Sequence, residues 1–120
     1  SLLNRIIKLS CDKESIVLDS FAGSGTTGHA VMDLNKEDDG KRKFILIEME
    51  DNVCREITSE RLKRAIKKFE YSDSFEFCEL GKPLFDKDGK ILLGFIIIHT
   101  FGDIKEKGRT DFKTGHFTLK

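Results

Sequence analysis

The chain has no excess of charge of either sign, because its 21 Lys and Arg residues balance its 21 Asp and Glu residues. Neutralisation of phosphates dominates affinity for nucleic acids, so a free-standing nucleic-acid-binding domain is usually basic. The zero net charge therefore argues against a chain that grips DNA alone. At 120 residues the chain has the length of one small domain with a modest core.

Cysteine and long apolar runs are scarce as well. Cys11, Cys54 and Cys78 are odd in number and lie far apart, without a Cys-x-x-Cys pair. We interpret them as small buried hydrophobic residues in a reducing compartment rather than as a disulfide framework or a zinc site. No apolar run approaches the roughly 18 residues that span a bilayer, and no signal peptide is visible. We expect a cytoplasmic protein that does not contact a membrane.

What is present is an alternation of helical and extended patterns. The spacing predicts helices over residues 2–10, 27–34 and about 51–69, strands over 15–19, 44–48, 75–80, 91–101 and 110–119, a polar loop over 35–43, and a hairpin turn at 86–89. Leu2 and Leu3 are predicted to pack in the core. A strand–helix–strand series implies an α/β fold, a parallel sheet in three layers with helices and right-handed crossovers.

A glycine-rich turn follows the first strand. Gly23, Gly25 and Gly28 match the Gly-x-Gly-x-x-Gly fingerprint between a strand and a helix, and Glu48 ends the next strand 20 positions after Gly28. Glycines permit positive φ and let the backbone approach a ligand closely. A carboxylate at the end of the second strand can accept both hydroxyls of a ribose, and ligands of such sheets bind beyond the carboxyl ends of strands. The combination predicts a site for an adenosine-containing cofactor.

Three cofactors compete for this turn. A nucleoside triphosphate is disfavoured, because His29 and Ala30 stand where a phosphate-binding loop needs Lys and then Ser or Thr. NAD fits the glycines and Glu48, with its pyrophosphate at a helix N-terminus. S-adenosylmethionine has no phosphate but carries an ammonium and a sulfonium group, for which Asp19 at the end of the first strand is suitable. Asp19 therefore favours S-adenosylmethionine, and NAD remains the alternative.

The whole string from 17 to 31, Val-Leu-Asp-Ser-Phe-Ala-Gly-Ser-Gly-Thr-Thr-Gly-His-Ala-Val, resembles the cofactor motif of amino-group DNA methyltransferases. The resemblance is closest to the adenine-specific methylase subunits of type III restriction–modification systems, and it extends over residues 1 to about 90. It implies a Rossmann-like fold of the S-adenosylmethionine-dependent methyltransferases. It also implies an enzyme that methylates the N6 atom of adenine in host DNA. It also implies a division into a cofactor-binding part at 1–94 and a strand-rich extension of unassigned role at 95–120.

The same resemblance implies which residues contact the cofactor. Phe21, Gly23, Gly25 and Thr26 would line the methionine and adenosine, Glu48 would hold the ribose, and Met49 would lie beside the adenine. The full set of expected cofactor-binding residues is Asp19, Phe21, Ala22, Gly23, Ser24, Gly25, Thr26, Thr27, Glu48 and Met49. No metal site is expected.

The catalytic loop of these enzymes precedes the cofactor motif and reads Asp-Pro-Pro-Tyr or a close variant. This sequence has Pro83 as its only proline, so it holds no adjacent prolines. The chain alone is expected to be inactive and to need a missing N-terminal half or a partner methyltransferase subunit, with DNA bound through the complete enzyme and a restriction subunit as a possible partner. An exposed sheet edge is expected where the missing strands would pair.

The basic run at 61–68 is predicted to be a solvated helix face. A protein that kept the fold as an interaction module and lost its ligand stays a further alternative function.

Overall fold

A computed structural model describes residues 1–80, 84–85, 91–92, 95–101 and 112–117. The helices are α1 (Leu2–Ser10), α2 (Thr26–Asp38) and α3 (Ser59–Phe69), the last preceded by a π-helical turn (Val53–Thr58). The strands are β1 (Ile16–Asp19), β2 (Lys43–Glu48), β3 (Asp73–Leu80), β4 (Leu84–Phe85), β5 (Ile91–Leu92), β6 (Phe95–Phe101) and β7 (Phe112–Phe117). None of the helices in these ranges is long and apolar enough to cross a membrane.

The main sheet has five strands in the order β1-β2-β6-β3-β7, and it is mixed rather than parallel. β1 and β2 are parallel, as predicted, whereas β6 lies antiparallel between β2 and β3, and β7 pairs antiparallel with the outer side of β3. The expectation of a wholly parallel sheet was therefore wrong: β1, β2 and β3 run in one direction, whereas β6 and β7 run in the opposite direction. The described C-terminal strands have no crossover helix between them, and antiparallel pairing needs none. The predicted turn at 86–89 lies outside the described residues, although β4 and β5 pair antiparallel on either side of it.

The core lies on one face of this sheet. α1, α2 and α3 all contribute to a single apolar cluster, which includes Ile7, Val31, Leu34, Phe44, Leu46, Leu62, Ile66, Phe75 and Ile97. Two crossovers of the same hand that step in one direction across a sheet place their helices on the same face. The step from β1 to β2 and the step from β2 to β3 go in one direction, so α2 and α3 share a layer. The described residues thus form two layers, which corrects the expectation of three.

The opposite face of β1 is uncovered. Ile16 and Leu18 point away from the helices and are 62% and 63% exposed. β1 is also an edge of the sheet, as expected from the sequence. Leu3 packs against the core, but Leu2 is exposed, so the prediction that both leucines are core residues was half wrong. β6 and β7 belong to the same sheet as β1 and β2, and the division of the chain at residue 94 stays a prediction.

The connection between α2 and β2 is shorter than predicted. α2 continues to Asp38, four residues past the predicted end at Leu34, and only residues 39–42 link it to β2. The amide side chain of Asn35 explains the difference: it donates to the carbonyl of Arg42 at 2.8 Å and accepts from its N–H at 3.0 Å. A helical Asn35 therefore fastens the start of β2 to the last turn of α2.

Candidate cofactor-binding site

The parallel pairing of β1 and β2 brings the glycine turn and Glu48 together. Both strands end at the same edge of the sheet, with Asp19 opposite Leu46. The turn is tied to β2 by a hydrogen bond from the N–H of Ala22 to the carbonyl of Ile47, at 3.0 Å. Residues that are 20 or more positions apart in the chain thus form one continuous surface.

The carboxylate of Glu48 binds the glycine turn directly. Its Oε2 accepts the N–H of Gly23 at 2.9 Å, and its Oε1 accepts the N–H groups of Met49 and Glu50 at 2.9 and 3.1 Å. An ionised carboxylate offers about four acceptor positions. The described residues occupy three of them, which leaves one on Oε2 for a ligand hydroxyl. A second hydroxyl would have to replace a backbone amide.

The three glycines of the turn differ in what surrounds them. Gly23 has φ +52°, and among the described residues a Cβ there would meet only the carbonyl oxygen of Phe21, at 3.9 Å. Gly25 has φ +81°, and a Cβ there would lie 3.3 Å from Thr58. Gly28 packs inside α2, where a Cβ would lie 3.0 Å from Leu46 and from Leu62. Gly25 and Gly28 are therefore required by packing within the protein, and only Gly23 borders open space that a ligand could occupy.

Asp19 is engaged in the turn as well. Its Oδ1 accepts the N–H of Phe21 at 3.0 Å, and its Oδ2 accepts the hydroxyl of the buried Thr27 at 2.6 Å. The side chain thus joins β1 to the first turn of α2. Each oxygen keeps acceptor capacity, so a role toward a positively charged ligand group is compatible with this arrangement and stays a prediction.

Two apolar side chains flank the opening at Gly23. Phe21 is 85% exposed and Met49 is 63% exposed, although both are large and hydrophobic. Exposed apolar side chains near a carboxylate suit a flat aromatic ligand that carries hydroxyl groups. The expected contact of Phe21 and Met49 with an adenosine group stays a prediction.

Two polar residues that contact the glycine turn from the π-helical turn and α3 were not predicted from the sequence. The buried Thr58 donates its hydroxyl to the carbonyl of Gly23 at 2.5 Å. The guanidinium of Arg61 donates to the hydroxyls of Ser24 and Thr26, at 3.1 and 3.0 Å, so Arg61 is not the simply solvated residue that was predicted. Both stand more than 30 positions after the turn, and no local signal distinguishes them from other polar helix residues.

The neighbouring titratable side chains are held in their neutral forms. His29 packs against Phe69 and Tyr71, with ring centroids 5.5 and 6.2 Å apart, and burial followed by the charge of Arg61 lowers its pKa. Burial, and then the nearby charge of Glu48, raises the pKa of the Cys54 thiol to about 12. The Cys54 thiol is therefore not a nucleophile at neutral pH, whereas the surroundings of His29 favour the neutral imidazole. Among the described residues no cluster of His, Cys, Asp or Glu could hold a metal ion.

The comparisons with known proteins agree with this description. Residues 1–59 match a protein family described as DNA methylase. The Mod subunit of the type III restriction-modification enzyme StyLTI, from Salmonella typhimurium, is 43% identical over 94 residues, which is 68% of this chain and 14% of that subunit. The EcoPI Mod subunit of Escherichia phage P1 is 30% identical over 131 aligned positions, covering 98% of the chain and 18% of the relative. The EcoP15I Mod subunit of Escherichia coli is 35% identical over 115 positions, covering 85% and 17%.

These matches show that the first 59 residues are similar to DNA methylases. Over most of its length the chain is similar to part of the Mod subunits of type III restriction-modification enzymes. It spans between 14% and 18% of the length of these three relatives. No solved structure gives a significant match. The resemblance stated from the sequence is confirmed, whereas the cofactor, the base that is methylated and the residues that bind remain to be proposed.

Proposed function

We propose that this chain is the S-adenosylmethionine-binding portion of a site-specific DNA methyltransferase of a type III restriction–modification system, one that methylates the N6 atom of adenine in host DNA. The observation that carries the proposal is the hydrogen bond of 2.9 Å between the Gly23 N–H and the Glu48 carboxylate, beside open space at Gly23. That contact joins the turn and the distant acid that an adenosine site requires. Because residues 1–59 match a family described as DNA methylase, S-adenosylmethionine is favoured over NAD.

Each residue would have a distinct role toward the cofactor. Glu48 would accept a ribose hydroxyl at the free position of Oε2, and Phe21 and Met49 would flank the adenine. The backbone of the turn from Ala22 to Thr27 would border the methionine portion, with Asp19 near its positive charges. When bound, S-adenosylmethionine supplies an activated methyl group. This chain's own residues would bind and orient it.

Transfer of the methyl group would need further residues. With Pro83 as its only proline, the sequence holds no Asp-Pro-Pro-Tyr loop, so we expect no transfer by the chain alone. We propose that the loop comes from the missing N-terminal half or from a partner methyltransferase subunit, and that DNA binds to the complete enzyme. A restriction subunit is a further possible partner, and the cytoplasm is the expected compartment.

Calorimetry with S-adenosylhomocysteine tests the proposal, with the missing part of the methyltransferase supplied. Glu48→Ala should weaken binding by about 1–3 kcal/mol, because the ligand hydroxyl then lacks its charged partner. Glu50→Ala is the matched control. Glu50 is the exposed acid two positions along, and its side chain is not needed for the Glu48 contacts, so binding should be unchanged.

Two outcomes would contradict the proposal. If the unsubstituted protein bound no S-adenosylhomocysteine with the missing part present, the cofactor assignment would be wrong, and an interaction module that has lost its ligand would be the better interpretation. If NADH bound and was not displaced by S-adenosylhomocysteine, the site would be that of an oxidoreductase.

A further inference from the structure

Gly23 is held on both sides by side chains from other parts of the chain. Its N–H donates to Oε2 of Glu48 at 2.9 Å, and its carbonyl accepts the hydroxyl of Thr58 at 2.5 Å. Its φ of +52° is a conformation that only glycine adopts easily. Rotation of either adjoining peptide would break one of these two bonds. Glu48 thus holds the peptide before Gly23 and Thr58 holds the peptide after it, so both side chains restrain the φ and ψ angles of Gly23 and, through them, the direction of its N–H.

Thr58 is also in contact with the next glycine of the turn. Its methyl carbon and its carbonyl oxygen each lie 3.3 Å from the position that a Cβ on Gly25 would occupy. The Thr58 side chain is fully buried, so its hydroxyl has no access to solvent. Thr58 thus contacts both positive-φ glycines, with the hydroxyl on one and the methyl on the other.

The helix that carries Thr58 is irregular at this point. Residues Val53–Thr58 form a π-helical turn, closed by a hydrogen bond from the N–H of Ser59 to the carbonyl of Cys54. A π-turn inserts one residue into a helix, which rotates the residues before it relative to those after it, and such turns are frequent at functional sites. Here Cys54, the second residue of the turn, packs in the core, and Thr58, its last residue, faces the glycines. The Thr58 hydroxyl also lies 3.1 Å from the carbonyl of Val53, the longer of its two contacts.

We propose that Thr58 is a positioning residue for cofactor binding: it fixes the Gly23 peptide so that Glu48 faces the ribose. The inference rests on the proposed function, because it takes S-adenosylmethionine as the ligand. Thr58 itself touches neither the cofactor nor the reacting atoms in this account. Its effect is transmitted through Gly23, and it should appear in cofactor affinity and not in the rate at saturation.

Two pairs of variants isolate the hydroxyl. Thr58→Val replaces it by a methyl group at nearly constant shape, and Thr58→Ala compared with Thr58→Ser does the same if the valine variant fails to fold. Ser59→Ala is the matched control, since it removes a buried hydroxyl from the same turn that donates to the carbonyl of Arg55 and not to a glycine. Loss of one hydrogen bond predicts about a fivefold change.

The first measurement needs no ligand. Amide hydrogen exchange at Gly23, in the full 120-residue chain, should be about fivefold faster in Thr58→Val and in Thr58→Ala. It should be unchanged in Thr58→Ser and Ser59→Ala. Equal exchange in Thr58→Val and the unsubstituted chain would overturn the inference, whatever the ligand is.

The second measurement uses a complete methyltransferase that carries this segment. The KM for S-adenosylmethionine and the dissociation constant of S-adenosylhomocysteine should each rise about fivefold in Thr58→Val, with kcat at saturating cofactor within twofold. Thr58→Ser should restore the unsubstituted values. A fall in kcat at unchanged affinity, or an equal effect of Ser59→Ala, would show a merely structural role and overturn the inference. Absence of cofactor binding in the unsubstituted enzyme would contradict the proposed function instead.

Discussion

Two loops lie at opposite ends of the paired strands β1 and β2: the glycine turn at their carboxyl ends and the Gly40 loop at the amino end of β2. They differ in how many of their hydrogen-bonding groups are bonded within the protein and in how much space is left around them. At the carboxyl ends, a Cβ on Gly23 would meet one atom, at 3.9 Å. At the amino end of β2, a Cβ on Gly40 would lie 2.6 Å from Nη1 of Arg42 and 2.8 Å from Oδ1 of Asp38. A Cβ at position 40 would displace the paired side chains of Arg42 and Asp38, whereas at position 23 the described residues leave the space open.

The charges at the two ends follow the same division. Arg42 is 3% exposed and binds both carboxylate oxygens of Asp38, at 3.0 and 2.9 Å, and its guanidinium holds the pKa of Asp38 below its usual range. At the other end, Glu48 keeps one acceptor position unused beside exposed apolar groups. At the Gly40 end, which we call the closed end, the opposite charges of Arg42 and Asp38 pair, although Nε of Arg42 is buried without a hydrogen-bond partner among the described residues. The end at Gly23 and Glu48, which we call the open end, keeps an acceptor position and space, and it is therefore the candidate site.

Removal of the acid at the closed end should have the largest effect on stability. Asp38→Asn leaves the guanidinium of Arg42 buried without its counter-charge, and the free energy of unfolding should fall by about 2–3 kcal/mol. Urea denaturation of the chain measures this change. Glu37→Gln is the control, since the ion pair of Glu37 with Lys8 is well exposed and its loss should cost less than about 1 kcal/mol. Equal losses in the two variants would show that the closed end is no more tightly built than an exposed surface.

Substitution of the two glycines should separate stability from binding. Gly23→Ala places a methyl group in the open space and forces alanine to φ +52°, so we expect a loss of stability of about 1 kcal/mol and a weakening of S-adenosylhomocysteine binding of about tenfold or more. Gly40→Ala should lower stability by overpacking, by about 1–3 kcal/mol, and leave binding unchanged. Unfolding and calorimetry on both variants check the comparison. Loss of binding in Gly40→Ala alone would reverse the assignment of the two ends.

The sequence predicted the open end better than the closed end, because the site there depends on local patterns. The spacing of Gly23, Gly25 and Gly28 and the position of Glu48 were sufficient to predict that the turn and the acid would meet. The contributions of Thr58 and Arg61 could not be predicted. They depend on how a distant helix packs against the turn, and on a π-helical turn for which the sequence gives no recognisable signal.

The errors in the predicted fold have a related cause. Periodicity identified β1, α1, α2 and β2 because each has its own local pattern, but it carries no information on which strand lies beside which. The insertion of β6 between β2 and β3 is a long-range choice, and it converted the expected parallel sheet into a mixed one. The same limit applied to Arg42: it lies in the predicted polar loop, but nothing in the pattern indicated that it is buried and paired with Asp38.

The smallest expected effect concerns the base of the open end, where the Cys54 thiol is buried near Glu48. A thiol whose folded pKa is raised from 9.0 to about 12 contributes stability that is fully present below pH 9 and is lost as the pH rises toward 12, because the unfolded chain releases a proton that the folded chain retains. We expect the free energy of unfolding to fall by about 1 kcal/mol between pH 9 and pH 10 from this group. Urea denaturation across this range, compared with Cys54→Ala, isolates it: the substituted chain should show a smaller slope. An identical pH dependence of the free energy of unfolding in the two chains would mean that water reaches the Cys54 thiol. The core beneath the glycine turn would then not be dry.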